Sequence, residues 1–157
     1  MDNINAFSGE NLAGFELLEF APVDNISDIP DQKDGEITSA ISFLVISQMY
    51  TIYAKKGSIQ FEEQSSSDKA GNYFNVTVRC VVPKLTSTQL ANLQSMERRL
   101  YVVKAKDNNG TYRLIGTLEE PLRFKYNPAQ RENPGDVAGF TLEFFGKLSS
   151  SAPFYNV

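Results

Sequence analysis

Regular alternation of apolar and polar positions begins at Gly14. The run GFELLEF sets Phe15 and Leu17 on one side and Glu16 and Leu18 on the other, which predicts a strand. Residues 22–35 break the pattern. PVDNISDIPDQKDG carries two Pro, four Asp, one Asn and one Gly, the composition of a loop, with Ile26 and Ile29 placed to pin it to the body. Residues 36–54 are rich in Ile, Val, Tyr and Thr, which pack well on a pleated surface and lose rotamer freedom in a helix. They predict one or two strands. A helix over part of 37–48 is the alternative, because short apolar runs fit both.

The clearest alternation follows. GSIQFEEQ sets Ile59, Phe61 and Glu63 against Gln60 and Glu62. YFNVTVRCVV sets Phe74, Val76, Val78, Cys80 and Val82 toward a core, and Tyr73, Asn75, Thr77, Arg79 and Val81 toward solvent or a neighbour. The eight-residue connection SSSDKAGN predicts a long hairpin with a mobile tip at 65–71. Pro83 closes this strand. Thr86 and Gln89 then form a capping box, with Leu85 and Leu90 at the positions of a hydrophobic staple. They predict a helix over 87–97 that buries Leu90 and Leu93 and shows Gln89, Asn92 and Gln94 to water. At about eleven residues such a helix needs a sheet to lie on.

The last third predicts a β-meander. RRLYVVKAK leads into the tight turn DNNG, TYRLIG returns, TLEEP turns, and LRFKY sets Leu122, Phe124 and Tyr126 against Arg123 and Lys125. A loop, NPAQRENPGDV, precedes GFTLEFFGK, with Phe140, Leu142 and Phe144 on one face and Thr141, Glu143 and Phe145 on the other. Residues 149–157 read as a short flexible tail, and the polar residues 1–12 as an N-terminal arm. No internal repeat is visible. With 157 residues and 41% apolar content, the chain suits one mainly β domain spanning 1–157.

Charge is uneven along the chain. Residues 1–40 hold nine acidic residues and one basic residue, Lys33, a net charge of −8, and the rest carries +4. Such asymmetry suits a self-assembling surface, where one copy's acidic segment meets another copy's basic face; it also suits a plain solvated loop. The longest nearly apolar stretch, 40–54, is too short and polar to span a membrane. The opening MDNINAFSGE lacks the basic and apolar regions of a signal peptide, so the expected setting is a cytoplasm, or release from one by lysis. No basic cluster is denser than Lys55-Lys56 or Arg98-Arg99, which disfavours nucleic-acid recognition.

Candidate chemistry is sparse. There is no histidine, and Cys80 stands alone in a strand pattern. A triad, a zinc site and a disulfide are therefore not expected, nor is any cofactor. Glu62-Glu63 and Glu119-Glu120 are adjacent pairs whose members point to opposite faces of a strand. Asp24, Asp28, Asp31 and Asp34 could offer oxygens to calcium, but their spacing does not match an EF-hand loop and Pro30 interrupts it, so they read as loop. Tyr73, Phe145, Phe154 and Tyr155 fall on outward faces or in the tail, where aromatics suit an interface or ordinary partial burial.

RLYVVKAKDNNGTYRLIGTLEEPLRFKYN, then a Pro/Gly loop and GFTLEFFGKLSSSAPFY, resembles structural tail proteins of bacteriophages, especially phages and prophages of Bacteroides-like hosts. VVPKLTSTQLANLQSME also fits, so the resemblance covers roughly 73–155. It implies a β-sandwich or partly closed barrel with one short flanking helix, in a virion tail-tube-like subunit assembled in the host cytoplasm. Members of that group form rings, often hexameric, stacked around a channel that passes DNA as non-specific cargo. The implied partners are copies of the chain and other tail proteins, with no membrane and no small-molecule substrate. Candidate contacts between copies are Asp24, Asp28, Asp31, Asp34, Ser66, Ser67, Asp68, Lys69, Tyr73, Phe145, Phe154 and Tyr155. A tail-terminator, neck or distal-tail ring protein is the near alternative. A small-ligand-binding β-barrel and a carboxylate-dependent glycosidase are the alternatives of other classes.

Overall fold

The computed structural model describes residues 13–44, 48–69, 71–83, 86–129 and 139–157. Strand β1 (Phe15–Pro22) leads through a 3-10 turn (Val23–Asn25) to four short strands, β2 (Ile26–Asp28), β3 (Glu36–Ile37), β4 (Ser42–Phe43) and β5 (Tyr50–Ile52). β6 (Gln60–Asp68) and β7 (Gly71–Pro83) form a hairpin, followed by helix α1 (Ser87–Met96). The chain ends in β8 (Leu100–Asp107), β9 (Tyr112–Ile115), β10 (Leu122–Ala129), β11 (Gly139–Leu148) and β12 (Phe154–Tyr155). The fold is mainly β with a single helix among the described residues, sandwich-like, and its sheet does not close into a barrel.

β8 organises the molecule. β1 pairs along one edge of it, from Phe15↔Asp107 to Pro22↔Tyr101. β9 and β10 share the other edge: Ile115 faces Val103, and Leu122 faces Tyr101. Residues 116–121 are therefore looped out of what is otherwise one broken strand. Past this corner β10 leaves β8 and pairs with β11, which pairs with β7, which pairs with β6. The break depends on glycine. Gly116 has φ +90, and a Cβ on it would lie 3.3 Å from Leu122 Cγ. Gly146 passes the same corner, where a Cβ would come within 2.9 Å of Leu122 Cδ2.

The corner turns one sheet into two layers. Between them lies the main core, with Leu18 of β1, Tyr101 and Val103 of β8, Val76 and Val78 of β7, and Phe144 of β11. Phe20, Tyr101, Phe124 and Phe144 form its aromatic centre, with ring centroids 5.0–6.1 Å apart. Tyr101 donates its hydroxyl to the Met96 carbonyl at 3.2 Å, which ties α1 to this centre. The other face of β1, β8 and β9 carries a second core, built by Ala21, Val102 and Leu114 against Ile26, Ile37 and Ile41. The acidic segment is thus a cap held by its isoleucines.

Several expectations are corrected. A bulge between Phe15 and Leu17 shifts the parity of β1, so Phe15 and Leu18 share the core side instead of opposing each other. The 65–71 tip is mostly ladder, since β6 and β7 stay paired out to Asp68↔Gly71. Residues 36–54 form three short strands, with no helix among those described. Leu90 is 36% exposed, and α1 is anchored by the buried Leu93 with Met96 packed beside it; the proposed staple residue Leu85 lies outside the described residues. The meander is interrupted, because β9 and β10 pair with β8 and not with each other. The loop expected from Asn127 starts later: 127–129 pair with 139–141, and 130–138 lie outside the described residues. The tail is not free, for Ala152 is buried and β12 lies between β9 and β3. The arm at 1–12 falls outside the described residues.

Candidate functional site

The layer formed by β10, β11, β7 and β6 turns one face to the core and the other outward. Cross-strand register places its outward side chains in rows. Lys125, Glu143, Arg79 and Gln60 form one row. Arg79 Nε donates to Glu143 Oε2 at 2.8 Å, and Lys125 Nζ lies 2.9 Å from Oε1. Glu143 is buried, whereas the Arg79 and Lys125 side chains are 43% and 47% exposed. Burial alone would raise the Glu143 pKa. Hydrogen bonds from Lys125 and Arg79, with their charges, outweigh it and hold the carboxyl below the usual carboxylate range.

The adjoining row holds Arg123, Phe145, Thr77 and Glu62. Lys125 Nζ sits 4.8 Å from the Phe145 ring centre, and Lys147 Nζ sits 4.5 Å from that of Tyr73. Tyr73 and Phe145 are half-buried on this face, each beside a cation. The face is therefore cationic and aromatic, with one buried carboxylate near its middle.

The opposite side of the molecule is acidic. Asp24, Asp28, Asp31, Asp34 and Glu36 are exposed on the cap, and Glu119 beside it. None of these carboxylates is in an ion pair among the described residues. Asp34 has a backbone role. Asp34 and Gly35 both take positive φ, 52 and 82, between Lys33 and Glu36, whose backbone groups exchange hydrogen bonds of 2.8 and 2.9 Å. That two-residue turn favours Asp-Gly.

The looped-out residues 116–121 have a consequence here. With 28–32 and 148–153 they enclose a cleft of about 410 Å³. Asp28, Asp31 and Glu119 line it, above apolar side chains that include Ile37 and Leu114. Glu120 is engaged, since its Oε2 accepts from the Ser149 N–H at 2.8 Å and from Ser149 Oγ at 3.0 Å. Among the described residues these carboxylates do not gather into a group able to hold a metal ion.

The third surface is an edge. β6 pairs with β7 over nine residues and has no strand on its other side among the described residues. Ser66 accepts a hydrogen bond from Asn75 Nδ2 at 3.2 Å, while Ser67, Asp68 and Lys69 are exposed at the far end. The two tail aromatics part company. Phe154 is 38% exposed, with Arg113 stacked 4.1 Å from its ring centre. Tyr155 turns inward instead: it packs on the second core, and its hydroxyl accepts from the Ile41 N–H at 3.2 Å.

The remaining reactive groups are tied into the fold. Cys80 is a buried free thiol, pushed up to about 12 by burial. Glu63 Oε1 accepts from the Ala152 N–H at 3.0 Å, and Glu62 points to the opposite face. No helix among the described residues is long and apolar enough to cross a membrane. Alternation gave the faces of Arg79, Glu143 and Lys125, but no sequence signal joined them into one row. Comparison with protein-family models, with curated proteins and with solved structures returns no match to this chain.

Proposed function

We propose that this chain is a self-assembling structural subunit, and that its assembly is a tube-like ring of a bacteriophage tail around a DNA-conducting channel. The open edge of β6 carries the reading. A nine-residue strand with one side unpaired is a template for strand addition, and in QFEEQSSSD no proline interrupts it and residues 64–67 carry no charge to oppose pairing. An edge that meets a different surface of the next copy is heterologous, and such contacts form a ring when the rotation between copies closes. The tail resemblance over 73–155 names the biological setting, a virion part assembled in the host cytoplasm. A terminator, neck or distal-tail protein shares the subunit design and stops at one ring.

The test is sedimentation velocity and negative-stain microscopy of the full chain over a wide concentration range. Rings or stacked rings are expected. Lysines at the exposed Ser65 and Ser67 should leave a folded monomer and remove the rings, because charge along an edge strand opposes strand addition. A wild-type chain that stays monomeric at every concentration overturns the reading.

A ligand-binding reading has one observation in its favour, the acidic cleft of about 410 Å³. Its chemistry suits a small cation such as spermidine, and a ligand-dependent rise in Tm is its test.

A further inference from the structure

We propose that the acidic cap of one copy docks on the cationic outer sheet face of the next, so that copies join head to tail along an axis. The proposal rests on the self-assembly reading and adds which faces meet.

Three observations carry it. The cap presents Asp24, Asp28, Asp31, Asp34 and Glu36 against one cation, Lys33, and these carboxylates have no ion-pair partner among the described residues. The outer sheet presents Arg79, Arg123, Lys125 and Lys147 against Glu62, Asp68 at the far end of β6 and the buried Glu143. The two surfaces lie on opposite sides of the body, since the main core, the β1–β8–β9 layer and the second core separate them. A copy whose cap is engaged therefore keeps its sheet face free. Growth is open-ended, as heterologous contacts without rotation-closure require.

The sheet face also suits a protein partner in its texture. Tyr73 and Phe145 give it apolar area, and the cations beside them fix orientation. Single-stranded nucleic acid is the competing occupant of a flat sheet with cations and aromatics. Glu143 argues against it, because this carboxylate sits in the middle row, where a phosphate chain crossing the strands would run. The same chain meanwhile supplies a complementary acidic surface.

The experiment uses charge exchange in the full-length chain. One variant carries Arg123→Glu and Lys147→Glu, and the other Asp28→Lys and Asp31→Lys. All four side chains are exposed, and none lies in the Arg79–Glu143–Lys125 row. Each variant alone should associate axially at least about tenfold more weakly than wild type, because like charges then face each other. An equal mixture should recover stacking, because each altered face finds its complement on the other variant. Circular dichroism checks folding, and Arg123→Gln with Lys147→Gln replaces the first variant if it unfolds. If both variants stack as wild type does, or the mixture stays apart, this pair of faces is wrong while self-assembly stands. If wild type forms no oligomer, the self-assembly reading falls as well. If wild type binds an oligothymidine through Arg123 and Lys147 and does not stack, the sheet face belongs to nucleic acid.

Discussion

Glu143 is the one buried charged residue among those described, although its strand turns it outward. It remains ionised because two cations close over it from neighbouring strands. Their exposure lets water screen the pair, so the contribution sits toward the low end for charged hydrogen bonds. Glu143→Gln should cost about 1–2 kcal/mol at pH 7. The sign of the pH dependence follows from the lowered pKa. This stabilisation is fully present above the unfolded carboxyl value of about 4.3 and is lost as pH falls through the folded value. Urea unfolding at pH 7, 5 and 3.5 checks it: the gap between wild type and variant should be steady from 7 to 5 and shrink at 3.5. A gap that persists unchanged at pH 3.5 would mean the carboxylate charge contributes nothing. At this scale the sequence was partly legible. Strand parity turned Tyr73, Arg79, Glu143 and Phe145 outward correctly, because alternation is a local property. The inward contact of Tyr155 was not legible, because its partner, the Ile41 N–H, lies 114 residues away.

Among the elements, α1 is the one whose start was readable in full, while its end falls one residue short of the expected 97. Thr86 Oγ1 accepts from the Gln89 N–H, and Gln89 Oε1 accepts from the Thr86 N–H at 2.8 Å, the reciprocal pair that the spacing predicts. Leu93 is buried, Met96 packs beside it and Tyr101 holds the Met96 carbonyl, so the helix has few anchors and its cap matters. Thr86→Ala should cost about 1 kcal/mol. Hydrogen exchange should speed up across 87–96 while the β7 and β11 amides keep their protection, since the helix opens locally. Equal acceleration in the sheet would tie the helix to the global core instead. Strand positions were legible for the same reason as parity, but their connections were not. TLEEP reads as an ordinary turn between meander strands. In the fold it is an excursion from a broken strand, at a corner where a Cβ on Gly116 or Gly146 would crowd Leu122, which no local pattern records. The bulge at Phe15–Leu17 is hidden likewise, because one inserted residue leaves composition unchanged.

At the scale of the whole molecule, charge is sorted onto two outer surfaces. Its imbalance along the chain was visible in the sequence. The pinning of the acidic segment through Ile26 and Ile29 was visible too, but its closure over β1, β8 and β9 through Ile37 and Ile41 was not, because these follow neither strand nor helix spacing. The sorting makes a distinct prediction about salt. Raising ionic strength from about 0.1 M to 1 M contracts the screening length from about 10 Å to 3 Å. Axial stacking should then fall away while rings held by backbone pairing at β6 persist, so the mean sedimentation coefficient should drop to that of single rings. Stacks that survive 1 M salt would place the axial contact elsewhere. The position of β12 sets an order of events. It lies between β9 and β3, and Tyr155 holds Ile41, so the acidic cap is fastened only after residues 154–155 have left the ribosome. Any surface built on the cap is therefore finished late, whatever part of the two layers has already folded.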